Sequence, residues 1–577
     1  MFNQYFQEEL ANLRDLGAEY SRLHPAVAPM LSGMSTDPDT ERLLEGVAFL
    51  TALMRQRLDD DFPEIIQELF QLIWPHYLRP LPAATIVAFM PKANLKQQVR
   101  VPKGTQIASA PVDGTPCLFQ TCFDVQVHPL RIENAVLAES AGRPPAVRLM
   151  LSLDDIKLGE WQADTLRLHI AGNAEQAADI YLLLLRYLDH IVLTSPAGGE
   201  ACRLTGDHLK PVGFADDENL IPYPGQSFPG YRIIQEYFLL PEKFLFLDLT
   251  GIDKWRRRPE SSQLEIRFVL KTLPFAPPRV RTHNFALAAT PAINLFSHDA
   301  DPIRLDHMKS EYFIRPSGGN DRHFQVYDVQ NVTGFLQGTA QERNYAPFEL
   351  FSPDPEADPT YHVNIRQSPV RQGYDFFLSV AYPPGSGSPP PETLSIALQC
   401  TNGSLPEGLQ VGDIAFATST TPEFIEFKNL RPPTATVVPA PGKNLHWRLL
   451  SHLCLNYRTL ADVENLQALL NLYNFEENRD RPAFLANQKR IAGIQKVETK
   501  TSDRLVDRVI MRGRDIHMQV RQDHYAGLGD LFLFGSVLDH FLGLYASMNT
   551  FTRLTIKEVL KGEVYQWPAR IGEHPLI

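Results

Sequence analysis

Proline is distributed very unevenly along this chain, and that distribution limits the structures open to it. Of the 46 prolines, 6 lie in residues 1–80, 36 in residues 81–440 and only 4 in residues 441–577. Proline removes a backbone donor and its ring clashes with the preceding helical turn, so the middle segment cannot be long helix throughout. The distribution therefore predicts short strands and turns in the middle, flanked by two segments that allow helices.

Length and composition indicate a folded chain of several domains. It has 577 residues, of which 44% are hydrophobic and 21% charged, and about three or four domains are expected at this length. We predict an elongated α+β multidomain protein with a helical N-terminal arm, a Pro-rich β-dominated middle and an α+β C-terminal domain. The predicted boundaries are 1–82 (helical), 83–280 (β-rich), 281–440 (a second β-rich domain with Pro/Gly loops) and 441–577 (α+β).

The N-terminal segment has the apolar periodicity of helices. Spacings of three, four and seven predict an amphipathic helix over residues 2–23, which ends at His24-Pro25. A second helix is predicted after Pro38 and a third from Pro63, a favoured first helical position. The apolar residues of the second helix are Leu43, Leu44, Val47, Leu50, Leu53, Met54 and Leu58.

Strand-like patterns begin at Ala84. The runs that predict strands are ATIVAFMP, QVRVPKGTQIAS, RLHIAG, IYLLLL, FLFLDLTG, LEIRFVL and FQVYDVQNVTG. The sequence PPGSGSPPPE at 383–392 predicts an exposed loop or linker, and the Pro-rich 431–442 stretch predicts a boundary. After His446 the patterns mix: a helix from Asp462 to Leu472, a half-buried strand in RDIHMQVRQ, an apolar helix from Asp530 to Met548 and a strand in NTFTRLTIKEV.

Several classes of protein are disfavoured by composition. The net charge is -12 without a long basic run, which argues against sequence-independent nucleic-acid binding. The N-terminus lacks the basic flank and apolar run of a signal peptide, and no stretch reaches the roughly 18 uncharged apolar residues of a membrane helix. The nearest candidate, LFLFGSVLDHFLGLYA, contains Asp539 and His540. Five scattered cysteines predict free thiols in a reducing cytoplasm.

Catalytic motifs are absent from the sequence. It contains no complete phosphate-binding loop, G-x-S-x-G elbow, H-E-x-x-H or EF-hand loop. The cluster Asp59-Asp60-Asp61 could hold Mg²⁺, but carboxylates before a helix that opens at Pro63 are better explained by the helix dipole. His517, His524 and His540 could form a metal site only if the fold brings them together. We expect no catalytic, cofactor-binding or metal-binding residues.

Aromatic and apolar side chains at the start of the first helix are the candidate partner-binding site. Full burial of one large apolar side chain is worth about 1.5–3 kcal/mol, and chain ends normally fray. These side chains therefore either cap the protein's own core or pack into partner helices, and both alternatives stay open. The candidate residues are Phe2, Tyr5, Phe6, Leu13, Leu16 and Tyr20.

Long motifs are spread over almost the whole chain. At the N-terminus these are YFQEELANLRDLGAEYSRLHPAVAPML, DPDTERLLEGVAFLTALMRQRLDDDFPE and LFQLIWPHYLRPLPAATIVAF. Further along they are FPGYRIIQEYFLLPEKFLFLDLTG, TPAINLFSHDADPIRLDH, HWRLLSHLCLNYRTL and GDLFLFGSVLDHFLGLYASMNTFTRL. In sequence and in order these motifs resemble the TssF family (also called VasA or ImpG), baseplate subunits of the bacterial type VI secretion system. Residues 170–226 and the 383–392 loop carry no such motif.

The resemblance implies a structural, non-enzymatic role. In this family two TssF copies assemble with one TssG into a wedge to which TssK trimers attach. Six wedges surround the spike hub, as in contractile phage baseplates, and start sheath and tube assembly. The implied partners are therefore a second TssF copy, TssG, TssK and other baseplate, sheath and spike proteins. The implied location is the cytoplasm of a Gram-negative bacterium, docked at the inner-membrane secretion complex without direct membrane insertion.

Two other functions stay open at this point. A hydrolase with a dispersed active site could use Asp59, Asp60 or the region around His517, and would need a deep pocket with convergent titratable groups. A ligand-binding β-domain protein would need an exposed aromatic platform on its strands. Fold class alone does not decide between these functions.

Overall fold

The computed structural model describes residues 6–16, 39–54, 79–437 and 462–572. The gaps inside these ranges are residues 8, 15, 40, 94, 141, 224–227, 319–322, 337–340, 349–358, 369–373, 383–390, 476–479 and 507–508. The chain divides into two compact units, a smaller one of residues 1–78 with 440–454 and a larger one of residues 79–439 with 455–577. The aspartates 59–61 and the helix predicted from Pro63 lie outside the described residues.

The described part of the smaller unit is helical. Residues 9–14 and 41–54 are both in helix, which agrees with the first two predicted helices over these stretches. In the second segment Ala48 and Ala52 are completely buried. Because they are four residues apart, they lie on one side of that helix.

The larger unit is rich in strand, with thirty strands among its described residues. The first fifteen are β1 (Ala84–Pro91), β2 (Val99–Val101), β3 (Gln106–Val112), β4 (Thr115–Thr121), β5 (Val125–Val127), β6 (Leu130–Ser140), β7 (Arg143–Leu153), β8 (Thr165–Ile170), β9 (Leu188–Thr194), β10 (Cys202–Thr205), β11 (Leu209–Val212), β12 (Phe246–Thr250), β13 (Gln263–Leu270), β14 (Phe285–Leu287) and β15 (Ala289–Ile293). The others are β16 (Phe296–Asp299), β17 (Ile303–Leu305), β18 (Tyr312–Phe313), β19 (Gln325–Leu336), β20 (Glu342–Pro347), β21 (Thr360–Gln367), β22 (Tyr374–Ala381), β23 (Glu392–Thr401), β24 (Ile414–Ala417), β25 (Ile425–Asn429), β26 (Ile494–Val506), β27 (Val509–Val520), β28 (Thr550–Glu558), β29 (Val564–Gln566) and β30 (Arg570–Ile571).

The described α-helices of the larger unit stand between these strands. They are α1 (Ala174–Arg186), α2 (Gly230–Leu239), α3 (Val463–Leu472), α4 (Arg481–Ala492) and α5 (Leu528–Leu544). None of the helices in the described ranges combines the length and hydropathy of a membrane span. The described chain is thus mixed α and β with strand predominating, as the fold class predicts in its coarse form.

The strands form five sheets and one two-stranded ribbon, β2-β5. Their orders are β24-β3-β4-β15-β1-β25 in sheet A, β10-β9-β13-β7-β6 in sheet B, β11-β12-β8-β14 in sheet C, β16-β23-β19-β20-β21-β22-β18 in sheet D (with β17 on β23), and β26-β27-β28-β29 in sheet E (with β30 on β28). Sheet A takes strands from both sides of residue 280, since β1 pairs with β15 and with β25. The predicted domain boundaries stay a prediction.

Helix α1 corrects the strand predicted for IYLLLL. Six apolar residues in a row fit a buried helix as well as a buried strand. The flanking residues decide: Asn173 accepts a hydrogen bond from the Glu175 N–H as N-cap, and the alanines that follow favour helix. Tyr181 to Leu184 are then completely buried within a helix of 13 residues.

Helix α5 agrees with the predicted apolar helix and is buried on nearly every side. Fifteen of its 17 residues are buried, which is the pattern of a core helix rather than a surface one. Its N-terminus meets α1 at Gly529, whose N–H donates to an oxygen of Asp179 at 2.9 Å. Near its other end Asp539 pairs with Arg570 of β30. Burial raises the pKa of Asp539 to about 6.

Sheet E confirms the predicted alternation in RDIHMQVRQ. Ile516, Met518 and Val520 are buried on β27, whereas His517 and Gln519 are not. The strand predicted in NTFTRLTIKEV is β28, which pairs in parallel with β27.

A buried ion pair holds α2 against the loop before it. Lys243 and Glu236 have no exposed side-chain surface, and the Lys243 ammonium donates to the Glu236 carboxylate and, at 2.7 Å, to the Gly213 carbonyl oxygen. The Glu236 carboxylate also accepts the N–H groups of Leu220 and Ile221 at 2.7 and 3.1 Å. Burial lowers the pKa of Lys243. Such a pair is tolerated only because its other hydrogen bonds are satisfied, so its role here is structural.

The contact between α5 and α1 yields a stability prediction. A Cβ at Gly529 would lie 2.2 Å from the Ala178 carbonyl carbon and 2.3 Å from the Asp179 amide nitrogen. Because backbone atoms cannot move aside easily, Gly529→Ala should lower the free energy of unfolding by about 1–3 kcal/mol, measured as a lower urea midpoint. The control is Gly159→Ala in the same unit, where a Cβ would meet no atom within 4 Å. An unchanged midpoint for Gly529→Ala would contradict this packing.

Candidate interaction surface

A cleft of about 410 Å³ in the larger unit is a candidate for an active site. Its lining includes the charged residues Arg100, Asp124, Arg167 and Asp248 together with His128. Arg100 donates to Asp124 at 2.7 Å, and Arg167 donates to both oxygens of Asp248 at 2.8 Å. These four charges are paired with one another, so they do not form a convergent acid–base group.

His128, at the wall of this cleft, is packed as a neutral ring. Its Nδ1 accepts a hydrogen bond from Trp161 Nε1 at 3.3 Å, and the two rings meet edge to face with centroids 5.8 Å apart. Burial lowers the pKa of His128 to about 4. An imidazole fixed in this way supports the core and is poorly suited to general-base catalysis near neutral pH.

The three histidines considered as metal ligands lie on different elements. His517 is on β27, the His524 Nδ1 donates to the Lys489 carbonyl oxygen at 2.8 Å, and the His540 ring stacks on Phe214 with centroids 3.7 Å apart. Within the described ranges no group of three or more His, Cys, Asp or Glu residues could hold a metal ion.

Sheet D carries an aromatic pair of the kind that a ligand platform would need. Phe313 on β18 faces Phe377 on β22, with centroids 5.5 Å apart and rings tilted by 58°. The Arg366 guanidinium lies over the Phe377 ring at 5.1 Å and pairs with Glu311 at 2.9 Å. The tilt between the rings and the guanidinium over Phe377 make this pair a poor stacking surface for a sugar ring.

Exposed apolar surface is instead concentrated on the helical segment 41–54 of the smaller unit. Its buried side carries Ala48 and Ala52. The opposite side carries side chains that are 42–70% exposed and spaced by four, three and four residues, which brings them onto one stripe. We call this stripe the 41–54 seam; it consists of Leu43, Val47, Leu50 and Met54.

The 41–54 seam has the geometry of a helix–helix contact. Apolar side chains at alternating spacings of four and three form the seam of helical bundles and coiled coils. Contiguous exposed apolar patches on helices mark sites of protein association. Phe49 and Leu53 extend the exposed apolar surface beside the seam, at 47% and 42% exposure.

The sequence-predicted partner residues are described in part. Phe6 and Leu13 are half-buried and Leu16 is 60% exposed, whereas Phe2, Tyr5 and Tyr20 lie outside the described residues. Arg14, between these side chains, pairs with Glu41 at 2.8 Å and so links the first helical segment to the start of the second. Partner binding by these residues stays a prediction.

Comparison with known proteins shows the family. The family model described as Type VI secretion system, TssF matches residues 1–574. The chain belongs to the TssF family. The family inferred from the sequence motifs is thereby confirmed, and the match includes the smaller unit and its seam.

A curated relative and two solved structures are similar to this chain over nearly its whole length. The Type VI secretion system component TssF1 of Pseudomonas aeruginosa is 29% identical over 624 residues, which cover 99% of each protein. A chain of the TssK-TssF-TssG baseplate subcomplex, solved by cryo-electron microscopy, is similar at 29% identity and a TM-score of 0.78, over 93% of this chain and 99% of that one. A chain of the type VI secretion baseplate complex is similar at 25% identity and a TM-score of 0.62, over the full length of both.

The buried imidazole of His128 yields a prediction about acid stability. Its pKa in the folded protein, about 4, lies below the ordinary value of 6.5, so its stabilising effect is present above pH 6.5 and is lost as the pH falls toward 4. Between pH 7 and pH 5, protonation of this imidazole in the unfolded chain should lower the free energy of unfolding by about 2 kcal/mol. His128→Gln, which keeps an acceptor for Trp161, should show a smaller decrease in urea unfolding measured at both pH values.

The control for that measurement is His283→Gln, which changes an exposed side chain of the same unit. This variant should keep the pH dependence of the original protein. Equal losses on acidification for the original protein and for His128→Gln would contradict the role given to His128.

Proposed function

We propose that this chain is a structural subunit of the type VI secretion baseplate that assembles with a second TssF copy, TssG and TssK. Family membership and the likeness to a chain of a TssK-TssF-TssG subcomplex support the proposal. The observation that carries it in this chain is the 41–54 seam, an apolar helix face that is exposed in the isolated chain.

The seam binds helices of partner chains. Burying each of its large side chains fully would contribute about 1.5–3 kcal/mol, and the alternating spacing fits a partner helix by knobs-into-holes packing. We assign the partner to TssG and the second TssF copy. The residues proposed from the sequence, Phe2, Tyr5, Phe6, Leu13, Leu16 and Tyr20, belong to the same helical contact.

We also propose a domain layout and a cellular location for the protein. A helical N-terminal arm, a β-dominated middle and an α+β C-terminal domain, arranged in an elongated chain, present different faces to different partners. Wedges built this way surround the spike hub and start assembly of the sheath and tube, as in contractile phage baseplates. The assembly is cytoplasmic in a Gram-negative bacterium and docks at the inner-membrane secretion complex.

Catalysis has no part in this function. The charged groups named in the cleft are paired with one another, and the similar solved chains come from type VI secretion baseplate complexes. The hydrolase alternative therefore has no support from the described residues or from the comparisons.

Substitution in the seam tests the proposal. Leu43→Asp with Leu50→Asp places two carboxylates on the seam, where both leucines are at least 60% exposed, so folding should be kept. Co-purification with co-expressed TssG should decrease by about tenfold or more, because charges would be buried at the contact. The matched control is Leu485→Asp on α4, a leucine that is 50% exposed. Full TssG recovery by the folded double variant would contradict the seam as a contact.

The first helix has its own test. Changing Phe2, Phe6 and Leu13 to Asp should also decrease TssG co-purification, because these side chains would lose their apolar contact with partner helices. Circular dichroism reports whether the variant is folded. Undiminished complex from a folded triple variant would remove these residues from the contact while leaving the seam to be judged by its own variants.

A further inference from the structure

The cleft of about 410 Å³ in the larger unit has two walls built from strands. One wall is the ribbon β2-β5 with Asp124 beside it, and the other is formed by β8 and β12 of sheet C. Asp124 and Gln126 on one wall, and Thr165 and Arg167 on the other, are two residues apart, so each wall presents side chains about 6.6 Å apart. An extended chain presents its own groups at the same spacing. The volume is within the range of ligand-binding sites, about 300–1,000 Å³.

The charges around the cleft balance one another. The four charged residues of the lining form two ion pairs, each of one arginine with one aspartate. Beyond the lining, the carboxylates of Glu218 and Asp217 lie near Arg167. The ammonium groups of Lys103 and Lys210 lie near the two aspartates. Because no charge of either sign is left uncompensated, the cleft favours an uncharged ligand over an anion or a cation.

His128 offers this cleft a hydrogen-bond donor. The indole N–H of Trp161 can only donate, so the His128 Nδ1 that accepts it carries no proton. The proton of the neutral ring is therefore on Nε2, for which the described residues supply no acceptor. His128 is only 6% exposed and lines the cleft, and its Nε2 is not among the unpartnered polar atoms that are sealed from solvent. A ligand in the cleft can therefore reach this N–H, and an acceptor there would satisfy it.

Two further side chains of the lining are polar and uncharged. Gln126 and Thr165 stand on opposite walls of the cleft. The Gln126 side-chain amide has both a donor and an acceptor, as a peptide group has, and the Thr165 hydroxyl can act as either. Together with the His128 N–H, these groups complement the C=O and N–H groups of a peptide backbone.

A small apolar recess adjoins the cleft. Its volume is about 10 Å³, and it shares Gln126, His128 and Ala288 with the cleft lining. This volume holds about one water-sized group, so it fits a methyl side chain and excludes larger ones. The rest of its lining is apolar and consists of Phe89, Pro91, Leu130, Leu166 and Leu287.

The backbone is strained where the cleft meets this recess. Ala288 has a φ of +47°, a left-handed conformation that the alanine side chain disfavours. The Ala288 carbonyl oxygen accepts the Phe89 N–H at 3.0 Å, which holds the residue in place. Strained residues of this kind cluster at ligand-binding sites, so the strain at Ala288 is a second indication that this cleft binds a ligand.

We propose that this cleft binds an uncharged, extended peptide segment of another protein chain. A backbone carbonyl oxygen of the segment accepts the His128 Nε2–H, and a neighbouring peptide group pairs with the Gln126 amide. An alanine-sized side chain of the segment enters the recess. The two ion pairs of the lining are already satisfied, so charged residues of a segment find no partner there. This binding site goes beyond the proposed function and belongs to the larger unit alone.

Nuclear magnetic resonance tests the site with defined probes. The full chain, labelled with ¹⁵N-histidine, is titrated at neutral pH with trialanine blocked by acetyl and methylamide groups, with N-methylacetamide and with acetate. The His128 ring signal is the one that is missing from His128→Gln. We expect blocked trialanine to shift this signal and to bind about tenfold more tightly than N-methylacetamide, because it makes several of the contacts at once. No shift with blocked trialanine, equally tight binding of the single amide, or binding of acetate would overturn the proposal.

A variant and a changed probe test the contacts. Gln126→Ala should weaken binding of blocked trialanine about two- to tenfold, because one hydrogen-bonding group is lost. Gln126 is exposed, so the urea midpoint should stay unchanged. The matched control is Gln519→Ala, which changes an exposed glutamine of β27 and should bind normally. A blocked peptide with lysine as its central residue should bind more weakly than blocked trialanine. Unchanged affinity in Gln126→Ala, or equal affinity for the lysine peptide, would overturn the proposal.

The peptide site and the proposed function are tested independently, because the titrations use neither TssG nor TssK. If the seam variants lose TssG and blocked trialanine does not bind, the proposed function stands and the peptide site is wrong. If the unaltered chain recovers no TssG but binds blocked trialanine at His128, the peptide site stands and the proposed function fails.

Discussion

Helix α5 (Leu528–Leu544) is stable in water only if other elements cover it, because large apolar side chains occur all around it and fifteen of its 17 residues are buried. Its first turn is fixed from two directions: Asp179 of α1 accepts the Gly529 N–H, and Arg490 of α4 pairs with Asp530 at 2.9 Å. Gly529 lets the α1 backbone come close enough for this contact. Elements more than 300 residues apart in the chain are thereby held in one unit, and the position of sheet E follows from this helix.

Local sequence patterns predict those helices and strands whose apolar residues recur with a regular period. The period of two in β27, and the apolar spacing of α3 and α5, are readable because burial follows from neighbours two to four residues away. Helix α1 is not predicted correctly, because a short apolar run has no period and the helix is indicated only by residues outside the run, such as its N-cap Asn173. The pairing of β1 with β25 joins segments about 340 residues apart, and no local pattern carries that information.

The sequence predicts an apolar helix in the smaller unit, but it does not predict which side of that helix is exposed. The sequence shows that helix 41–54 is rich in apolar residues, and it does not show which of them face the protein's own core. Completely buried Ala48 and Ala52 mark that core side, which leaves Leu43 and Leu50 exposed. Small residues on one side and large apolar residues on another are the signal that could have located the seam.

The distribution of charge and apolar surface in the described residues fits a scaffold subunit. An enzyme places groups of perturbed pKa at a cleft where a substrate can reach them. Here Lys243 and Asp539, whose pKa values are shifted by burial, are held between secondary-structure elements by Glu236 and Arg570. His128 at the cleft wall also has a lowered pKa, but its ring is buried and held by Trp161. Large apolar side chains meanwhile remain exposed on the seam. Ion pairs thus hold the secondary-structure elements of the protein together. The exposed apolar side chains can still be buried in contacts with other chains, and that burial would stabilise an assembly.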